Sequence, residues 1–112
     1  MAHAGSPKTI IVYRTRTGNE PFTDWLNSLR DPVTRRRLLA HLRRLERGQY
    51  GDFKPLGAGM NELRFFFGAG YRIYFAEDGE NIVVLLCGGD KDSQRRDIQL
   101  AQTYWQEYQS HD

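Results

Sequence analysis

The chain is expected to fold as an α+β domain, with an antiparallel (mixed-edge) sheet of about four strands, a helical pair near the N terminus and a C-terminal helix. Three observations carry that expectation. Residues 62–75 alternate with period two on both sides of Gly68-Ala69-Gly70, the pattern of a β-hairpin. Ile82–Leu86 is apolar at every position, as a central strand covered on both faces would be. Phe22, Trp25, Leu26 and Leu29, then Leu38, Leu39, Leu42 and Leu45, then Ile98, Ala101, Trp105 and Tyr108 recur at helical spacing.

Taken in order, residues 1–8 read as a flexible tail, and 1–112 as a single domain. Thr9–Arg14 (TIIVYR) is a β-branched run and the first expected strand. Asn19-Glu20-Pro21 starts a helix, with Asn19 as cap and Pro21 in the first turn, where a backbone N–H is not needed. Asp31-Pro32 repeats the signal almost at once, so a second helix follows and forms an antiparallel pair with the first. Gly48 suits its end. Gln49–Met60 is rich in glycine, contains Pro55, and reads as a loop. Beyond the hairpin, Asp78-Gly79 marks a turn, Gly88-Gly89 ends the last strand, and Asp92 or Ser93 caps the final helix.

Composition narrows the class. Hydrophobic content of 39% and charged content of 27% are ordinary for a soluble globular protein. No apolar run approaches the roughly 20 residues that cross a bilayer, and the first residues lack the basic-then-apolar order of a secretory signal. The single cysteine, Cys87, reads as a small buried hydrophobe, and the lack of an internal disulfide fits the cytoplasm. His3, His41 and His111 have no metal-ligand spacing, so neither a metal nor another cofactor is expected. The net charge is only +2, but 13 of the 16 basic residues are arginine. Seven of them stand between Arg30 and Arg47 against Asp31 and Glu46, a local balance of +5. Arg36 and Arg43 belong to this face, which reads first as a solvated helix surface and second as a contact to phosphates.

The hairpin turn decides what chemistry the sheet presents. With Gly68-Ala69-Gly70 as a three-residue turn, Phe67 pairs with Tyr71, Phe66 opposes Arg72, and Arg64 opposes Tyr74. Arg64, Arg72 and Tyr74 then share one face, and the arginines are diagonal neighbours about 7–8 Å apart. A shift of one residue would part them. Asp90 and Lys91 follow the last strand and complete a cluster. Cations converging on one anion suit phosphoryl chemistry, because charge builds on non-bridging oxygens in the transition state.

The segments DWLNSLRD (Asp24–Asp31), RRLERGQYGDFKPLGAGMNELRF (Arg43–Phe65), GAGYRIYF (Gly68–Phe75) and LLCGGDKDSQRRDIQLA (Leu85–Ala101) together resemble the RelE/ParE superfamily of toxin–antitoxin toxins. The likeness is nearest to its phage-derived, "addiction module killer" branch, which includes HigB-like toxins. That resemblance implies a RelE-like fold and a cytoplasmic toxin held inactive by a helix-turn-helix (HigA-like) antitoxin in a hetero-oligomer. It also implies a ribosome-dependent mRNA endonuclease that uses the RNA 2′-hydroxyl as nucleophile and no metal. Arg72 matches the basic residue of the family's G-Y-R strand motif, which contacts the scissile phosphate. Arg64 lies near the basic position on the preceding strand, and Lys91 near one after the last strand. Lys54 has no firm counterpart and is expected on RNA, as are Arg36 and Arg43, with Tyr74 stacking on a splayed base.

The chain also departs from the pattern. RelE-like toxins place a functional tyrosine early in the last helix, where this sequence has Asp97 and Ile98. HigB-like enzymes often use a histidine near the C terminus, where only His111 stands. Arginine does not give up its proton at ordinary pH, which leaves Lys91 or Asp90 as the base. Two alternatives stay open: a ParE-like inhibitor of DNA gyrase that cleaves nothing, and a degenerate toxin that only binds its antitoxin.

Overall fold

The computed structural model describes residues 7–110. Its elements follow in the order β1 (Thr9–Val12), α1 (Pro21–Ser28), α2 (Pro32–Glu46), β2 (Phe53–Gly57), β3 (Met60–Arg64), β4 (Arg72–Asp78), β5 (Ile82–Gly89) and α3 (Gln94–Ser110). The strands form one mixed sheet ordered β1-β5-β4-β3-β2, antiparallel except where β1 runs parallel to β5. The α+β class is as expected; the strand count is five.

The added strand, β2, lies inside the segment expected to be a loop. Glycine and Pro55 hid it for a physical reason: β2 is an edge strand, where a proline that cannot donate to the ladder is tolerated. Its hairpin to β3 closes through Ala58 and Gly59, both at positive φ (55° and 86°), the backbone that a two-residue turn requires. The indole Nε1 of Trp105 on α3 donates to the Ala58 carbonyl at 2.6 Å and ties this hairpin to the far helix.

The two faces of the sheet bury two separate cores. Leu63, Ile73, Phe75, Val83 and Leu85 pack under α1 and α2 with Phe22, Leu38, Leu42 and Leu45. Met60, Tyr74, Ala76, Val84 and Leu86 pack under α3 with Ala101 and Trp105. β5, between β1 and β4, is covered on both sides, as its unbroken apolar run predicts. It also continues through Gly88-Gly89, which were expected to end it.

Helix ends follow the sequence in part. Asp31 accepts from the Val33 N–H at 3.0 Å and caps α2. At the other end Gly48 N–H reaches the Leu45 carbonyl and Gln49 N–H the Arg44 carbonyl, the paired bonds of a Schellman stop. For α1 the cap position is Glu20 rather than Asn19, and Glu20 Oε1 instead takes the Thr23 hydroxyl at 2.8 Å. Lys8, expected in a flexible tail, is anchored: its N–H donates to the Glu46 carbonyl at 2.7 Å.

Burial, reinforced by Asp97, pushes the Cys87 thiol up from 9.0 to about 12. Burial and its bond to Glu107 do the same for the Tyr13 phenol, from 10.0 to about 12. The folded chain holds these protons to higher pH than the unfolded one. Their stabilisation is therefore complete below about pH 9 and is lost as pH rises toward 12. Thermal unfolding should show that decline, and iodoacetamide at about pH 8 should label Cys87 only after denaturation. Rapid labelling of the native protein would contradict the packing described.

Candidate functional site

β3 and β4 pair with Arg64 opposite Arg72, Leu63 opposite Ile73 and Glu62 opposite Tyr74. This register is two residues away from the expected one. Phe65 N–H still donates to the Tyr71 carbonyl at 3.0 Å, so the connecting loop is Phe66–Gly70. An even shift leaves every side chain on its face. Arg64, Arg72 and Tyr74 do share the α3 side of the sheet, with the two arginines directly opposed rather than diagonal.

Aromatic packing lengthens the loop. Phe67 lies 6.0 Å from Phe65 and 5.6 Å from Tyr71 between ring centres, and Tyr71 reaches Trp25 of α1 at 6.3 Å. These contacts draw Phe65, Phe67 and Tyr71 toward the α1–α2 side. Phe66 is left outside, 74% exposed.

The arginine tips do not converge. Arg72 is only 8% exposed; its Nη1 donates to the Gly70 carbonyl at 2.9 Å. Its Nε stands 3.9 Å from Oε2 of Glu62, a carboxylate 1% exposed that accepts from Gln94 Nε2 of α3 at 2.8 Å. Arg64 turns away, half-exposed, with Nη2 3.6 Å from Asp52 Oδ1 and its guanidinium 5.6 Å from the centre of the Phe66 ring. Nε of both arginines, Oε1 of Glu62 and the Tyr74 hydroxyl are buried without a hydrogen-bond partner among the described residues. Buried donors left unpaired are costly and uncommon.

The other expected residues divide. Lys91 belongs to the rim: its N–H reaches the Ala69 carbonyl at 3.4 Å, and its Cβ and Arg72 Nη1 both border Gly70. Lys54, exposed on β2, pairs with Glu62 and so lies on the same face. Asp90 is committed elsewhere. Its Oδ1 accepts from the N–H groups of Asp92 and Ser93 at 2.9 and 3.1 Å and closes the turn into α3. Tyr74 does not fit the expected stacking role, because it is 0% exposed beneath α3. Burial and the nearby carboxylates of Glu62 and Asp97 hold its phenol well above the usual tyrosine range, so it stays protonated. Arg36 and Arg43 are exposed on α2, which packs on the opposite face of the sheet. His111 lies outside the described residues.

Glu62, Gln94 and Asp97 are the partners the sequence reading missed. Glu62 shares its parity with Arg64, which is a usable signal; Gln94 and Asp97 come from a helix whose azimuth over the sheet no local pattern states. A larger cavity of about 730 Å³ lies at the far end of β4, among Tyr13, Asp78, Trp105 and Tyr108, and holds none of the expected residues.

Together these elements define a small α+β protein whose sheet ends in an arginine-bearing polar rim beneath a C-terminal helix. The chain belongs to the phage derived protein Gp49-like family, whose model matches residues 24–106 and so contains the whole rim. It is similar to an uncharacterised protein of Haemophilus influenzae, 40% identical over 99 residues, which span 88% of this chain and 96% of that one. No helix among the described residues is long and apolar enough to cross a membrane.

Proposed function

We propose that this chain is the toxin of a type II toxin–antitoxin module, of the RelE/ParE type on its HigB-like branch, and that it cleaves mRNA on the ribosome in the cytoplasm. The observation that carries this reading is the opposed pair Arg64 and Arg72 on one sheet face, with Lys91 at the same rim. The RNA 2′-oxygen attacks the adjacent phosphorus as the bond to the 5′-oxygen breaks, leaving a cyclic phosphate and a 5′-hydroxyl. Arg72 holds the non-bridging oxygens, where charge accumulates, and Arg64 joins it by swinging away from Asp52. The 2′-hydroxyl gives its proton to water and Lys91 gives one to the departing 5′-oxygen, since Asp90 is tied into the α3 turn and arginine keeps its proton. A helix-turn-helix antitoxin of the HigA kind is the proposed partner, covering this rim in a hetero-oligomer.

Arg72→Lys tests the assignment, because it keeps a positive charge beside Glu62 but loses the planar fork. Ribosome-dependent cleavage should fall by about 100-fold or more, and growth inhibition with it, while antitoxin binding and melting temperature stay near wild type. Full toxicity in Arg72→Lys and in Arg64→Gln would remove the pair from the mechanism.

One observation favours the gyrase-inhibitor reading instead: Arg72 already has a carboxylate, Glu62, at 3.9 Å, and a paired guanidinium need not meet a phosphate. Separate labelling of nascent DNA and nascent protein after induction decides between them. An early stop in DNA synthesis with intact mRNA would favour gyrase.

A further inference from the structure

α2 presents a second cationic surface that the rim does not use. Arg37, His41 and Arg44 recur at i, i+4 and i+7 on one side of the helix and face the β3–β4 loop. Between them and Arg64, Phe66 and Phe67 lies an open cleft of about 390 Å³. The Arg37 guanidinium sits 3.7 Å above the Phe67 ring. His41 packs edge-on against Phe65 at 4.9 Å and points Nε2 at the Tyr50 carbonyl, 3.0 Å away. A carbonyl only accepts, so Nε2 carries a proton. Among the described residues, neither Arg37 nor Arg44 has a carboxylate within ion-pair distance.

We propose that this cleft is a binding subsite for single-stranded RNA, with an unpaired base stacked on Phe66 and the flanking phosphates held by Arg37, Arg44 and Arg64. A flat, 74% exposed ring beside arginines is what an unstacked base requires, and a base paired within a duplex does not offer its face. Arg64 joins the two surfaces: it lines the cleft, and its strand partner is Arg72. The RNA path thus runs from the rim past the β3–β4 loop toward α2, one helical position on from Arg36 and Arg43. The inference deepens the nuclease reading and rests on it.

The probe is a fluorescein-labelled single-stranded RNA carrying 2′-O-methyl groups, which cannot be cleaved through its 2′-oxygen. Its affinity for the full chain is read by fluorescence anisotropy. Phe66→Ala should weaken binding about tenfold, and Phe66→Trp should restore it, because stacking needs a π-face rather than a particular ring. Arg37→Gln and Arg44→Gln should each reduce the slope of log affinity against log salt by about 0.7. Undiminished binding by Phe66→Ala and the two arginine variants overturns the subsite, as does absence of saturable binding by the wild type or equal affinity for a duplex. If Phe66→Ala instead loses the antitoxin and keeps the RNA, the cleft belongs to a protein partner and the inference fails. Arg72→Lys separates the two readings. Full toxicity in Arg72→Lys and in Arg64→Gln beside a Phe66→Ala that loses RNA removes the arginine pair from the mechanism and keeps the cleft; an inactive Arg72→Lys beside an unaffected Phe66→Ala does the reverse.

Discussion

Gly89→Ala is expected to lower the melting temperature by about 15 °C, followed by circular dichroism. A Cβ at position 89 would stand 1.8 Å from Oδ2 of Asp97 and 2.8 Å from Oγ of Ser93. Asp97 has little room to yield: it is buried in the first turn of α3 against the sheet, and the Ser93 hydroxyl donates to its Oδ2. The first turn of α3 must therefore lift from the sheet. Overpacking of this kind costs about 1–3 kcal/mol, and a lost buried hydrogen bond adds about 1 kcal/mol. A total near 3 kcal/mol is a large share of the roughly 5–15 kcal/mol that holds a domain folded. Asp97→Ala makes room for the new methyl, so the double variant should be more stable than the sum of the two single losses allows. Strict additivity, or a Gly89→Ala protein that melts with the wild type, would contradict the contact. The effect should reach function as well, because Gly89 is the strand partner of Arg72, and lifting α3 withdraws Gln94 from Glu62.

That pair of residues also shows what a sequence can and cannot say. Gly88-Gly89 reads as the end of a strand, yet both residues lie within β5, each beneath a different helix. A Cβ on Gly88 would meet the Trp25 ring at 2.2 Å from the α1 side, and one on Gly89 would meet Asp97 from the α3 side. Glycine is needed there for close approach, not for a turn, and local pattern does not separate the two. Period-two alternation did place Arg64, Arg72 and Tyr74 on one face, because parity survives any even error in register. It did not foresee the longer loop, since that is set by Phe67 and Tyr71 packing toward Trp25, a contact between residues far apart in the chain. The exposure of Phe66 follows from the same contact. Burial of Tyr74 was equally out of reach, because it depends on where α3 crosses the sheet.

Removing Glu62 is the second large effect expected. Glu62→Ala leaves Arg72, 8% exposed, as an unpaired buried charge. The loss from breaking one side of a buried ion pair is about 3–5 kcal/mol, and the long 3.9 Å separation places this one at the lower end, about 3 kcal/mol by urea unfolding. Glu62→Gln should lose less, since an amide oxygen still accepts from Gln94. The informative variant is the double exchange Glu62→Leu with Arg72→Met. Replacing both members of a buried pair by apolar residues of similar size is often neutral for stability, so this protein should fold near wild type and yet inhibit growth no more than an empty vector. If it remains toxic, the pair is only a way of filling the sheet face beneath α3. If it is stable and inactive, the buried guanidinium is present for what it binds, and Glu62 is the group that holds it in place until a phosphate arrives.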